Sequence, residues 1–386
     1  MSGGVPLATA YPVGAAATLA ELEAEPYARL AALREAEPVS WLPAIGGWMV
    51  TRRDLALAVM RDAQTFTVDD PRFSTAQVVG ASMLSLDGPE HARHRSPFVA
   101  PLRLGEVRRR LAASVEAETR RLLDGLEPAG AGELRRGFAG PLAATVVGRT
   151  LGLQDARTGE VLAWYDAIVA AVTDLSAGRP AGPDAEAAVA ALGEALGSVR
   201  SAFGAADALT DAELTANAAI VLFGGIETME GMISSALVHL LTHPAALAAV
   251  RAEPERLGDA IEESLRLEPA AAVIDRYATG PVRLGDARVA AGDLVRISIT
   301  AANRDPAAFA DPDVFDLDRP NARRHLAFAS GPHVCVGMHL ARLEAHVAVG
   351  AVLERLPGLR LTEGRRPAIH GLVFRKPRAL DVVWDV

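Results

Sequence analysis

Between the capping box Thr210-Asp-Ala-Glu213 and His243-Pro244 the chain keeps a helical spacing of apolar side chains without a proline, for over thirty residues. A helix of that length crosses a protein of this size, so the other elements have to be arranged around it. Near its middle stands Phe223-Gly224-Gly225-Ile226-Glu227-Thr228. Each of two glycines in a helix interior costs about 1 kcal/mol relative to alanine. Two readings account for them: close approach of another helix, or room left for something that is not protein.

The second constraint is chemical. The chain of 386 residues has one cysteine, Cys335, within Phe328-Ala-Ser-Gly331-Pro-His333-Val-Cys335-Val-Gly337. Helix-forming residues follow, with Leu340, Leu343, Val347 and Val352 at apolar positions, so the sulfur sits where a loop becomes a helix. The free N–H groups and dipole of a helix N-terminus lower a thiol pKa. Gly331 lets the loop turn tightly, Gly337 lets a flat ligand lie on the first helical turn, and Phe328 shields the sulfur from water. We read Cys335 as a metal-bound thiolate in preference to a small buried hydrophobe.

Phe328, Gly331, His333, Cys335 and Gly337 resemble the haem-binding loop of the cytochrome P450 family. Four further signatures stand in the family's order: Asp87-Gly-Pro-Glu-His91-Ala-Arg-His-Arg95, Gly224-Gly225-Ile-Glu227-Thr228, Glu263-Ser-Leu-Arg266 with Asp318-Arg319-Pro320, and Arg276 in an extended stretch. The resemblance spans essentially the whole chain. It departs at Ala329, where most bacterial members have glycine, at Pro332 before the histidine, and at Ile226 and Met229, where many have histidine and threonine.

The resemblance implies a mainly α fold with a minor β region, one domain over residues 1–386, and a long central helix over the haem. It implies haem b with Cys335 as axial thiolate, and Gly224, Gly225, Phe328, His333 and Gly337 beside the cofactor. It gives the propionates to His91, Arg95 and Arg276. From the residues alone, His91 and Arg95 lie four apart on one helix face and suit two adjacent carboxylates, while a His91/His94 metal pair and a solvated face are the alternatives. Thr228 is implied as hydrogen-bond donor to dioxygen and Glu227 as the link to a proton supply. Glu263, Arg266 and Arg319 are implied to form a structural ion-pair triad. Met83, Ile220, Phe223, Ala271 and Val273 are the expected substrate pocket.

Composition excludes the usual competitors. Net charge is −9, against nucleic acid as main partner, and the single lysine, Lys376, leaves no Walker-type loop and no lysine Schiff base. No Gly-x-Ser-x-Gly, His-Glu-x-x-His or Gly-x-Gly-x-x-Gly occurs. One cysteine forbids an internal disulfide and fits the cytoplasm. No uninterrupted apolar run reaches the ~18 residues of a membrane span, and residues 1–18 read as a flexible lead-in.

The remaining chain predicts helices over 20–36, 52–61, 104–126, 137–151, 155–175 and 253–267, with a hairpin over 39–50 that turns at Gly46-Gly47. Residues 71–85 read as a loop forming a substrate-facing wall. Gly178, Pro180, Gly182 and Pro183 interrupt two helices, the second ending near 203, as a mobile lid hinge or an ordinary turn. Short strands follow Pro269, and residues 357–386 read as loops and strands with a turn at Gly371-Leu-Val-Phe374, a candidate for the pocket mouth.

The expected activity is monooxygenation, the hydroxylation or epoxidation of a hydrophobic small molecule, in particular a natural-product intermediate. Oxidative coupling, desaturation or demethylation on the same fold is the alternative, with a non-catalytic haem protein further off. Electrons are expected from NAD(P)H through a separate ferredoxin and its reductase. Arg93, Arg103 and Arg108 to Arg110 form either a docking patch for that ferredoxin or a solvated helix face.

Overall fold

Tryptophan pairing explains where the first sheet begins. In the computed structural model, which describes residues 7–153, 156–176, 179–197, 209–365 and 367–386, strands Val39–Leu42 and Gly47–Val50 pair antiparallel with Trp41 opposite Trp48. The rings meet edge to face at 5.6 Å. Gly46 closes the turn in the left-handed region at φ 60°, as the Gly46-Gly47 signal requires. Gly47–Val50 then runs parallel to Leu294–Ser298, followed by antiparallel Val273–Ala278 and Phe66–Thr67, which completes a five-stranded sheet. Its buried side chains, among them Trp48, Val50, Phe66, Val295 and Ile297, pack with Val59, Met60 and Leu326. The Trp48 indole donates to Asp293 at 2.8 Å, so the buried ring leaves no polar atom unsatisfied.

This sheet lies in the first of two compact units, residues 1–68, 238–335 and 367–378; residues 69–237, 336–366 and 379–386 form the second. The lead-in is less mobile than its composition suggests. Tyr11 sits edge-on to Trp48 at 5.1 Å, and the Val13 and Gly14 amides donate to the Glu37 carboxylate at 2.8 and 3.0 Å. A Cβ on Gly14 would lie 2.2 Å from the Ser40 hydroxyl, so a small residue there lets residues 7–18 dock. The expected turn after Gly371 is present. Gly371 has φ 122°, and a Cβ would meet the Phe374 carbonyl at 2.0 Å.

The second unit is mostly helical. Helices Gly140–Thr150, Thr158–Ser176 and Asp184–Gly197 pack in succession, and Ala112–Leu126 packs on Met338–Arg355. Two expectations fail here. The helix expected over 104–126 is two, Leu104–Arg110 and Ala112–Leu126, divided at Leu111, whose φ of −114° departs from the regular helical value although it keeps its i→i−4 hydrogen bond to Val107. That half buries Val115, Thr119 and Leu123, four apart. The loop expected over 71–85 contains helix Ser74–Val79, which buries only Thr75 and Val79, a stretch too short to show a period. Gly178 and residues 198–203 of the expected lid lie outside the described residues.

The long helix spans Asp211–Thr242. Thr210 and Glu213 cap it reciprocally, with Thr210 N–H to Glu213 Oε2 at 2.8 Å and Glu213 N–H to Thr210 Oγ1 at 3.3 Å. It has the length and composition of a membrane span even though no strict apolar run does, yet 78% of its most apolar window is buried in the protein, as in a core helix.

Glu263, Arg266 and Arg319 meet in the first unit, all buried. Arg266 grips Glu263 through two 2.8 Å hydrogen bonds, and Arg319 Nε adds a third at 2.9 Å. The leftover guanidinium donors go to main-chain carbonyls, of Asn303, Pro312 and Val314 from Arg266 and of Ala310, Asp311 and Val314 from Arg319. Two arginines thereby replace the missing ladder of a segment without regular structure. Removing one partner of a buried pair leaves an uncompensated charge, so Glu263→Gln should lower the denaturant stability of the protein by about 3–5 kcal/mol.

Candidate active site

The cysteine loop is held by main-chain devices. Cys335 N–H donates to the Phe328 carbonyl at 2.9 Å, closing a loop that contains the short turn Gly331–His333. Gly331 stands at φ 78°, and a Cβ there would lie 2.5 Å from the Met60 carbonyl. Ala329 also takes a positive φ, 59°, so the alanine in place of glycine sits where a Cβ costs roughly 1–2 kcal/mol. Under the loop, His325 accepts from Ala327 N–H at Nδ1 and meets Glu262 through Nε2 at 3.0 Å. Its proton therefore lies on Nε2, and its ring lies 5.8 Å from that of Phe328.

While Leu326 and Leu340 are buried, Cys335 is exposed. Gly337 caps helix Met338–Arg355, so the sulfur stands two residues ahead of a helix N-terminus. An exposed thiol before a helix start, in a loop braced by its own main chain, is the donor arrangement a thiolate-ligated flat cofactor needs.

On the long helix the two glycines separate. A Cβ on Gly225 would meet Val147 Cγ2 at 2.5 Å, so this glycine is there for close packing on helix Gly140–Thr150. A Cβ on Gly224 meets nothing within 4 Å. Val221, Gly224 and Thr228 share a face of the helix and are only partly buried, whereas Ile220 and Phe223, the expected pocket residues, are buried. The open stripe fits room for a ligand beside Gly224. Thr228 Oγ1 donates to the Gly224 carbonyl at 2.6 Å, which leaves the hydroxyl oxygen free to accept.

Glu227 is buried and accepts a hydrogen bond from the phenol of Tyr165 on helix Thr158–Ser176. Burial first, then the charge of Glu227, raises the Tyr165 pKa, so the phenol stays a donor. Arg136 lies over the Tyr165 ring at 5.9 Å and pairs with Asp166 at 2.9 Å. Tyr165 was not legible in the sequence; nothing local distinguishes it from a core aromatic.

The remaining expected residues fall in both units. The second carries His91, buried, and Arg95, half-buried, on helix Gly88–Val99, together with Met83, buried. The first carries Arg276, buried on its strand with Nη1 on the Asp275 carbonyl at 2.7 Å, along with His333, Ala271 and Val273. The His91/His94 metal pair finds no support: among the described residues no three ligating side chains cluster. His94 Nδ1 is taken by Asn217 at 2.9 Å. Arg93 pairs with Glu90 and Glu213, and exposed Arg109 with Glu106, which leaves Arg103, Arg108 and Arg110 as the exposed members of the basic patch outside these pairs.

A family model described as Cytochrome P450 matches residues 200–367. The chain is 35% identical over 360 residues to Nocardicin C N-oxygenase of Nocardia uniformis subsp. tsuyamanensis, covering 87% of this chain and 89% of that protein. The chain belongs to the cytochrome P450 family. It is also 34% identical to the 20-oxo-5-O-mycaminosyltylactone 23-monooxygenase of Streptomyces fradiae, over 94% of this chain and 89% of that one. Its fold matches crystalline P450BioI in complex with a hexadec-9Z-enoic acid ligated acyl carrier protein, with a TM-score of 0.84, 27% identity and coverage of 94% and 99%. A cytochrome P450 monooxygenase carries haem with cysteine thiolate ligation, and Cys335 is the sole cysteine of this one.

The two glycines should respond oppositely to alanine. Gly225→Ala overpacks against Val147 and should cost about 1–3 kcal/mol in denaturant unfolding. Gly224→Ala meets no protein atom and should gain about 1 kcal/mol of helix propensity, while weakening carbon monoxide or azole binding by the reduced or oxidised haem protein.

Proposed function

We propose that this P450 hydroxylates or epoxidises a hydrophobic small molecule, an intermediate of natural-product biosynthesis, with Cys335 as the residue that would ligate haem b through its thiolate. The observation that carries the reading is the exposed Cys335 thiol in its braced loop, ahead of a helix N-terminus. The names of the relatives, a nocardicin C N-oxygenase and a 20-oxo-5-O-mycaminosyltylactone 23-monooxygenase, support the substrate class. Bound haem supplies the activation of dioxygen, favoured by electron donation from the thiolate.

The chain's own residues do the rest. His91, Arg95 and Arg276 would hold the haem propionates, and Phe328, His333 and Gly337 would line the cofactor near Cys335. Glu227 delivers protons, held by Tyr165 until needed. Thr228 rests with its hydroxyl proton on the Gly224 carbonyl; to relay, the hydroxyl would turn from that carbonyl and pass its own proton on as its oxygen accepts one from the supply side. Met83, Ile220, Phe223, Ala271 and Val273 are assigned to the substrate pocket, with Val221 added from the open stripe. Electrons come from NAD(P)H through a ferredoxin and its reductase in the cytoplasm, with exposed Arg103, Arg108 and Arg110 as the meeting surface for an acidic partner.

The test is the absorption spectrum of the dithionite-reduced protein under carbon monoxide. The wild type should show the red-shifted Soret band of thiolate-ligated haem, and Cys335→Ala should lack it; a folded wild-type protein without that band refutes the reading. With a substrate found by Soret titration, Glu227→Gln should lower turnover by about 10²-fold or more, the scale of general acid catalysis, while substrate affinity stays within about twofold.

A further inference from the structure

Three turns before Thr228, on the same stripe of the long helix, Asn217 is fully buried and uses both ends of its amide. Oδ1 accepts the main-chain N–H of Met83 at 2.8 Å. Nδ2 donates to the Glu213 carbonyl at 2.7 Å and to His94 Nδ1 at 2.9 Å. The second contact fixes the His94 ring, whose Nε2 lies 3.1 Å from Arg93 Nη2 and 3.4 Å from Glu213 Oε1.

What Asn217 holds is a turn with little else to fix it. Residues 82–85 make no strand pairing among the described residues; Ser85 N–H reaches the Ser82 carbonyl at 3.0 Å, and Ser82 N–H reaches Ser85 Oγ at 3.1 Å. Those bonds shape the turn internally. The Met83 amide, by contrast, is tied to Asn217, and through it the turn is tied to the long helix and to helix Gly88–Val99, which carries His91 and Arg95.

We propose that Asn217 is the positioning residue that sets substrate specificity, by locking the Met83 turn at a fixed distance from the Val221–Gly224–Thr228 stripe. The proposal rests on the reading of Met83 and that stripe as substrate-facing. The three bonds require a side chain with an acceptor and two donors on one short fork, which an amide alone provides. Aspartate keeps the acceptor for Met83. Leucine has the same shape and neither function. Without the lock, a bulky ligand has to order the turn as it binds and loses affinity, whereas a ligand confined to the iron does not.

The experiment uses the haem-loaded protein and two probes, imidazole and N-dodecylimidazole, titrated by their Soret shifts in wild type, Asn217→Leu and Asn217→Asp. Amide hydrogen exchange of a peptide spanning residues 80–86 is followed in parallel. In Asn217→Leu, imidazole affinity should stay within about twofold while N-dodecylimidazole binding weakens about tenfold or more, with faster exchange in the peptide. Asn217→Asp should restore both readouts toward wild type.

Equal loss for both probes would make Asn217 merely structural and overturn the proposal. So would faster exchange with unchanged discrimination, or unchanged exchange. Should Asn217→Leu fail to take up haem, Asn217→Ser, too short to reach the Met83 amide, is read by the same criteria. Failure of the haem reading is separate, because it shows in the wild-type carbon monoxide spectrum before any probe is added.

Discussion

The carboxylate of Glu263 is the interaction on which the first unit's irregular half depends. It lies in a fully buried position and is offset by the guanidinium groups of Arg266 and Arg319 and by the Asp316 N–H. Ion pairs of this kind add little net stability compared with apolar packing. Their worth here is geometric: guanidinium donors left over by Glu263 collect carbonyls from Asn303 to Val314, chain that no sheet or helix would otherwise fix. Asn303 passes the order on, since its side chain accepts the Leu326 N–H at 2.7 Å, two residues before Phe328. The placement of the cysteine loop is thus inherited from a buried charge cluster with no part in the chemistry.

The second unit solves a different problem, that of opening a helix without weakening its hold. Gly225 is packed against Val147 and Gly224 faces open space, so adjacent identical residues serve opposite ends. Two explanations that compete when only the sequence is considered are each true of one glycine. The same division appears in the polar groups: Thr228 is satisfied within its own helix, while Glu227 turns to a neighbouring helix for Tyr165.

What was legible in the sequence was local. The capping box at Thr210, the turn at Gly46, the glycine at 331 and the cysteine before a helix are each decided within a few residues, and the structure places them as expected. The Glu263 cluster was legible only through resemblance, because its third member is 53 residues from Arg266 by number. Tyr165 and Asn217 escaped because their meaning lies in a partner distant in sequence, Glu227 for one and Met83 for the other. Two errors share one physical source. The break at Leu111 and the short helix Ser74–Val79 are set by what each face packs against, and six or seven residues carry too few apolar positions to announce it. The contacts of Tyr11, Val13 and Gly14 with Trp48 and Glu37 were not legible in the composition of the lead-in.

Ala329 holds a left-handed conformation that the unfolded chain visits rarely, and it lies six residues before the only cysteine. The main-chain bonds that brace the loop offset the cost of that one left-handed Cβ, and a cofactor held by Cys335 would add to the same side, stabilising loop and ligand together.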